Sequence, residues 1–506
     1  MIRKTKLYII YLFIPFLSLV INPILGSGKD IPNILEGKAK LIGKITNLND
    51  ENNDKISINV TVPHLISGEF VKYKAVADQS GKFSIDVDVE TDISRIVFST
   101  SLNPTKFLVF KLKSGTDNRI DIVYNSNADI KNIKVVPDMN ENDITLYFDL
   151  MGEMIQSPIA LKAQPLYDKS PDYFLNYAKS LLSEIYLPVK NNTLISKDLK
   201  NVLYNDFRLF LYQGAVFDYD KAMSANYFRT NSDKNKMPSI QKIDRSYYRF
   251  LKDLQLDDPQ YLYSAAFIEF QKKILQNEIL AIPRIGDTDI PSWLESTKTI
   301  LSNLLGFKGG QYYDILVANA YSLQMTEQLS PLSKKQKDNI LNYWGNGEIA
   351  KVLFKKNKEV AELDKYKSPV VVNDVSKIAA DKVIETIVSK HKGKVILIDM
   401  WATWCSPCLE AMQRFRPTKA EFHDKEVVFV YLTNGSSPLK LWEEKIKGIG
   451  NEHYYLNDKQ WEYVMTQFEF NYIPSYLLYN KRGELVNKFS ALPEIEEIKS
   501  MINGLL

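Results

Sequence analysis

Two cysteines occur in 506 residues, and they stand three apart, at Cys405 and Cys408. Both lie in the run Trp401-Ala402-Thr403-Trp404-Cys405-Ser406-Pro407-Cys408. It follows the apolar stretch KVILIDM and precedes the helical pattern LEAMQRFRPTKAEFHD. Two thiols three apart at a helix start can share one turn and close a disulfide. The free N–H groups of that turn and the positive end of the helix dipole favour a thiolate at Cys405. The chemistry this predicts is thiol–disulfide exchange. Cys405 is expected as the exposed nucleophile, and Cys408, three residues deeper, as the thiol that resolves the mixed disulfide. Ser406 and Pro407 carry no acid to oppose a thiolate, and Pro407 sits where a missing N–H is tolerated. They are read as tuning residues.

Other roles for a cysteine pair fit less well. A structural staple of this spacing closes a tiny loop and constrains the unfolded chain little. A zinc site needs about four ligands. His391, His423 and His453 stand at no zinc-type spacing, so neither a metal nor a bound cofactor is expected beyond the redox-active disulfide itself. Asp399, six residues before Cys405, is a carboxylate inside an apolar strand, a costly placement unless it is paired or used. Burial would raise its pKa and suit it to accept the Cys408 proton. Trp404 abuts Cys405 and is expected to shelter the disulfide and touch the substrate, whereas Trp401 reads as packing. Glu410, two residues after Cys408, is a tuning residue at most.

The elements that must hold these residues fall into three regions. Residues 38–150 hold many short, partly alternating runs, from KLIGKIT and KISINVTV to IKNIKVV and ITLYFDL, all read as strands. Without helical pattern between them they predict an antiparallel β-sandwich-like domain. His64 there is expected as a loop or strand-end residue with no acid partner. Residues 170–365 switch to apolar spacings of three and four, as in PDYFLNYAKSLLSEIYL and YYDILVANAYSLQMTEQL, and predict an all-α domain. Pro188, Pro259, Pro283 and Pro331 are expected to punctuate it, with Ser330 and Ser333 as cap candidates. Residues 371–506 alternate strand and helix and predict an α/β domain whose central sheet is covered on both faces. In it, YIPSYLLYN and ELVNKFS form a strand pair around Lys481-Arg482-Gly483.

Composition agrees with a multidomain globular protein: hydrophobic residues are 45% and charged residues 25% of the chain. Arg3, Lys4 and Lys6 account for the whole formal charge of +3. The remainder is neutral and offers no general basic field for nucleic acid. Those three cations precede the apolar run Leu7 to Ile21, and Gly26 and Gly28 follow it. Residues 1–28 therefore read as a signal peptide, with an uncleaved N-terminal membrane anchor as the other reading. Either way the body is expected outside the cytoplasm, in the periplasm or facing it from the inner membrane.

WATWCSPC after an apolar strand resembles the thioredoxin superfamily, and within it the exported TlpA/ResA-like thiol–disulfide oxidoreductases of Bacteroidetes-type bacteria. The resemblance covers residues 380–506. It implies that Pro474, in Tyr472-Ile473-Pro474-Ser475, is the family's cis proline facing the cysteine pair. The backbone at Ile473 would then be free to pair with an extended substrate strand. It also implies an acid at the position of Asp399, and an insertion that matches Ser436 to Tyr472. The large first two regions resemble, in order of elements only, exported Bacteroidetes proteins with a C-terminal thioredoxin-like domain. The function implied is an extracytoplasmic oxidoreductase that reduces protein or peptide disulfides and exchanges electrons with a membrane-bound thiol partner. The alternatives are a thiol peroxidase, peroxiredoxin-like, and a binding or assembly protein with a vestigial thioredoxin domain.

Overall fold

The computed structural model describes residues 31–47, 55–157, 164–231, 239–365 and 367–506. The expected signal peptide, residues 1–28, lies outside the described residues. Among the described residues no helix is long and apolar enough to cross a membrane.

The first region is built from β1 (Ile34–Asn47), β2 (Ser57–His64), β3 (Glu69–Val76), β4 (Lys82–Thr91), β5 (Ile93–Thr100), β6 (Asn103–Lys113), β7 (Asp117–Tyr124) and β8 (Ile130–Val136). They form two four-stranded sheets, ordered β4-β1-β7-β8 and β3-β2-β5-β6. Strands such as β2 and β4 alternate buried and more exposed positions, so each sheet turns one face inward. Leu41 and Ile122 of one sheet share a core with Val60, Phe98 and Phe110 of the other. The pairing is antiparallel except between β1 and β7, which run parallel.

Residues 144–150, expected as a strand, are helical: helices run Glu141–Thr145 and Tyr147–Ile155. The Asn140 side chain accepts from the N–H groups of Asn142 and Asp143, which starts the first of them. The buried positions Ile144, Tyr147, Leu150 and Met154 recur at three and four, a period that the alternation within ITLYFDL concealed. His64 ends β2, as expected of a strand-end residue, but it does have an acid partner. It is buried, with Nδ1 3.6 Å from Glu90 Oε1 and Nε2 3.0 Å from the Asp88 carbonyl. Strand β4 supplies that partner across the fold, from 26 positions along the chain, so local sequence gave no sign of it.

The middle region is helical. Its main helices are Pro171–Asn191, Lys197–Leu211, Tyr219–Thr230, Ala265–Gln276, Ile290–Leu305, Gln311–Gln328, Lys334–Trp344 and Glu348–Asp364. Ser170, Ser196, Asp289 and Ser333 cap four of them with side-chain oxygens. Ser333, not Ser330, makes the cap before Lys334. Its side chain accepts from the Gln336 N–H while Gln336 returns a bond to the Ser333 N–H. Pro188 does not end its helix but sits in the last turn, where few main-chain bonds remain to be lost.

The last region carries β9 (Val370–Asn373), β10 (Val395–Met400), β11 (Val427–Asn434), β12 (Asn451–Leu456), β13 (Ser475–Tyr479) and β14 (Leu485–Ser490). Their order is β14-β13-β10-β11-β12-β9. Strand β10 is parallel to β11 and antiparallel to β13, and every one of its residues is buried. Ile396, Ile398 and Met400 face one core; Val395 and Leu397 face another, which includes Cys405, Cys408 and Phe415. A strand apolar on both faces requires cover on both sides, which helices Val383–Lys390, Ser406–Ala420, Asp458–Gln467 and Ile495–Asn503 help to supply. Helix Leu439–Ile449, β12 and helix Asp458–Gln467 occupy the segment read as an insertion.

The middle and last regions touch through helices Gln311–Gln328 and Leu439–Ile449. Gln328 Nε2 donates to Glu444 Oε2 (2.8 Å), Arg284 pairs with Glu444 (2.5 Å), and Lys445 pairs with the buried Glu327 (3.2 Å). Gly448 makes this approach close: a Cβ there would overlap the Glu327 carbonyl oxygen. Alanine normally improves a helix interior over glycine by about 1 kcal/mol. Gly448→Ala is nevertheless expected to destabilise the protein by about 1–3 kcal/mol, because the backbone of Glu327 must move. The urea midpoint checks this; an upward shift would show that the contact yields freely.

Candidate active site

Strand β10 ends at Met400, and the chain turns through residues 401–405 into helix Ser406–Ala420. Two anchors hold the turn. The Trp401 N–H donates to the Leu432 carbonyl of β11 (3.0 Å), and the Thr403 N–H to Ser437 Oγ (3.0 Å), itself bonded to Thr433 Oγ1 (2.7 Å). Trp401 is fully buried, a packing residue. Cys405 and Cys408 are joined in a disulfide. Cys405 is the N-cap of the helix, and its Sγ accepts from the Cys408 N–H at 3.2 Å. In the reduced state a thiolate would occupy that same acceptor position at the positive end of the helix. Pro407 lies in the first turn. Ser406 opens the helix, and its side chain lies outside the described residues.

Cys405 was expected to be exposed, but only 3% of it is, and Cys408 is wholly buried. The N-cap position turns Sγ inward over the first helical turn, into a cluster with Trp401, Ala402 and Phe415. Trp404 stands out instead, 55% exposed, with Nε1 donating to Ser436 Oγ (3.1 Å).

Antiparallel pairing of Met400 with Ser475 brings the start of β13 to the end of β10 where the cysteine turn begins. The Ile473–Pro474 bond is cis. Ile473 packs against the cluster that holds both cysteines. Its own N–H and C=O make no hydrogen bond among the described residues, whereas the Pro474 carbonyl accepts from Ala491. Tyr472, 60% exposed, carries the chain in.

Asp399 projects from β10 toward the cysteine helix. It lines a cavity of about 10 Å³ with Leu397, Ala411, Met412, Phe415, Phe429, Tyr431, Tyr476 and Leu492, room for about one water molecule. Asp399 Oδ1 has no hydrogen-bond partner, and burial pushes the carboxyl pKa well above its usual value. Lys419, from the same helix as the cysteines, is the cation whose field opposes that rise. It is buried too, with Nζ donating to the Ile449 carbonyl (2.6 Å) and lying 3.3 Å from the Tyr431 hydroxyl. Burial first, and the neighbouring Arg416 second, push its pKa down to about 7. Both groups are thus driven toward neutrality. Lys419 was not foreseen. The spacing Cys408, Met412, Phe415, Lys419 puts it on the core-facing stripe of its helix, and that stripe is the signal that could have found it.

Glu410 lies exposed at the rim and pairs with Lys72 of β3 (2.8 Å), so the β-sandwich reaches the cysteine helix. Lys221, on helix Tyr219–Thr230, sets Nζ 5.9 Å from the centroid of the Trp404 ring. His453, which the zinc reading had weighed, is buried, stacked on Tyr431 and held by the Gly450 carbonyl; burial pushes its pKa down to about 3. Among the described residues no three His, Cys, Asp or Glu side chains converge as a metal site.

Residues 393–485 match a family model described as thioredoxin-like. Among solved structures, a candidate thiol-disulfide oxidoreductase from Bacteroides vulgatus is 30% identical over 23% of this chain and 82% of its own, with a TM-score of 0.21. The thioredoxin domain of a thiol-disulfide oxidoreductase from the same organism is 20% identical over 23% of this chain and 84% of its own (TM-score 0.21). StoA from Bacillus subtilis is 22% identical over 22% and 82% (TM-score 0.19). No curated protein matches the chain.

Proposed function

Through its C-terminal region this chain belongs to the thioredoxin superfamily, with TlpA/ResA-like character, and from that premise we propose that it is an extracytoplasmic thiol–disulfide oxidoreductase that reduces protein disulfides. The observation that carries the reading is the Cys405–Cys408 pair at a helix N-terminus, with Cys405 Sγ held by the Cys408 N–H. The export assignment rests on Arg3, Lys4 and Lys6 ahead of the apolar run Leu7 to Ile21.

In the reduced protein the Cys405 thiolate attacks one sulfur of the substrate disulfide. A Cys405–substrate disulfide forms, and the other substrate sulfur leaves as a thiolate. Asp399, in its ionised form, takes the Cys408 proton; the small cavity it lines extends along the cysteine helix at Ala411, Met412 and Phe415. The Cys408 thiolate then attacks Cys405 Sγ, closes the internal disulfide and releases the second substrate thiol. Two electrons have passed to the substrate, and a membrane-bound thiol partner restores the dithiol. No other cofactor enters. Pro474 and the unpaired backbone of Ile473 give an extended substrate its place beside the pair, and exposed Trp404 supplies a contact face. Ser406, Pro407 and Glu410 tune the first turn.

The direct test is trapping. With Cys408→Ala, the mixed disulfide at Cys405 has no resolving thiol, so the reduced variant mixed with an oxidised protein substrate is expected to form a covalent adduct on non-reducing gels. Wild type should form none that persists. Absence of the adduct would defeat exchange through Cys405.

A further inference from the structure

Cys405 is almost fully covered, so a substrate reaches its sulfur only across the rim of the site. Part of that rim comes from outside the thioredoxin-like region. Strand β3 contributes Lys72, and helix Tyr219–Thr230 contributes Lys221. We propose that these two lysines make the rim select protein disulfides whose reacting cysteine is flanked by acidic residues. The inference rests on the oxidoreductase reading and assigns it a substrate class.

The charges near the rim decide the sign. Lys72 neutralises Glu410, the carboxylate two residues beyond Cys408. Lys221 stands over the Trp404 ring and has no carboxylate within ion-pairing distance among the described residues. The acids on its own helix do not offset it locally. Asp218 is taken by Lys273, and Asp220, one position earlier, projects about 100° around the helix from Lys221. Lys74 follows Lys72 on the same exposed face of β3. Cations from outside the thioredoxin-like region therefore overlook a recessed sulfur on a chain whose charges otherwise balance, and Asp458, against Gly435, is the carboxylate at the Ser436 edge. Trp404 fixes one edge of the entrance through its bond to Ser436. An acidic side chain beside the substrate cysteine would replace solvent at Lys221 while the substrate backbone lies along Ile473. Such surface attraction favours encounter and orientation and is weakened by salt.

The test uses the full-length reduced protein and three matched peptide disulfides, with Asp, Asn or Lys flanking the cysteine. The quantity read is the kcat/KM ratio between the Asp and Asn peptides within each variant. Wild type should favour Asp over Asn by about three- to tenfold, and Lys should be the poorest. The ratio should fall toward one in the Lys72→Gln, Lys221→Gln double variant and between about 0.02 and 0.5 M salt. Lys221→Arg should restore most of it. A ratio near one in wild type, or an unchanged ratio in the double variant, would overturn the inference. If wild type reduces none of the three peptides, the oxidoreductase reading itself fails, a separate and visible outcome.

Discussion

Cys405→Ala should reduce turnover of insulin disulfides to the background set by the added thiol alone, a loss of about a thousandfold or more. The reason is chemical: the first bond to substrate forms at this sulfur, and Cys408 is wholly buried and cannot take its place. The fold should survive. A disulfide between residues three apart restrains the unfolded chain by only about 2 kcal/mol in the chain-entropy model. The turn also keeps its bonds to Leu432 and Ser437 without the sulfur. Circular dichroism and the urea midpoint would separate the two effects. Turnover near the wild-type value in a folded Cys405→Ala protein would remove the enzyme reading and leave the binding or assembly alternative.

The site divides sharply into what local sequence can carry and what it cannot. Cys405, Cys408, Trp404 and Asp399 fall within ten residues, so one apolar strand and one helix start suffice to relate them. Pro474 is 66 residues beyond Cys408, and only the family resemblance joined it to the pair; in the fold, register between Met400 and Ser475 does so. Lys419 was invisible because a lysine on a helix reads as solvated until the apolar stripe around it is counted. Lys72 and Lys221 lie far from the cysteines in sequence, on regions that showed no chemistry of their own. The same limit hid the Glu90 partner of His64. Period errors are of another kind. In residues 144–150, a short alternating run imitated a strand, and the capping Asn140 decided for helix.

Asp399→Asn offers the second large effect, and it couples catalysis to stability. The variant keeps the size of the side chain but cannot accept the Cys408 proton. Resolution of the mixed disulfide should slow by about a hundredfold near neutral pH, with the adduct accumulating during turnover, while formation of that adduct changes little. Stability should move the other way. Burial raises the Asp399 pKa in the folded protein above its unfolded value, so the folded state binds the proton more tightly. Wild type is then penalised progressively as pH rises from the ordinary carboxylate range through the raised folded value. Asn carries no such penalty. The unfolding free energy of Asp399→Asn, from urea titration, should exceed that of wild type near neutral pH by about 1–3 kcal/mol, the usual scale for a buried group left unsatisfied. The gap should shrink on acidification, as the wild-type carboxyl gains its proton in both states. Lys419 has the opposite slope, because its folded pKa is depressed to about 7 and the folded state gains as pH rises from there toward the unfolded value. The two groups are coupled, since the Asp399 charge raises the Lys419 pKa, so the Lys419 slope begins at lower pH in the variant and the difference between the proteins reports the pair. A variant that resolves the mixed disulfide as fast as wild type would mean that another group accepts the Cys408 proton; one that is slower but no more stable at neutral pH would mean that Asp399 is ionised and satisfied in the folded protein and accepts that proton directly.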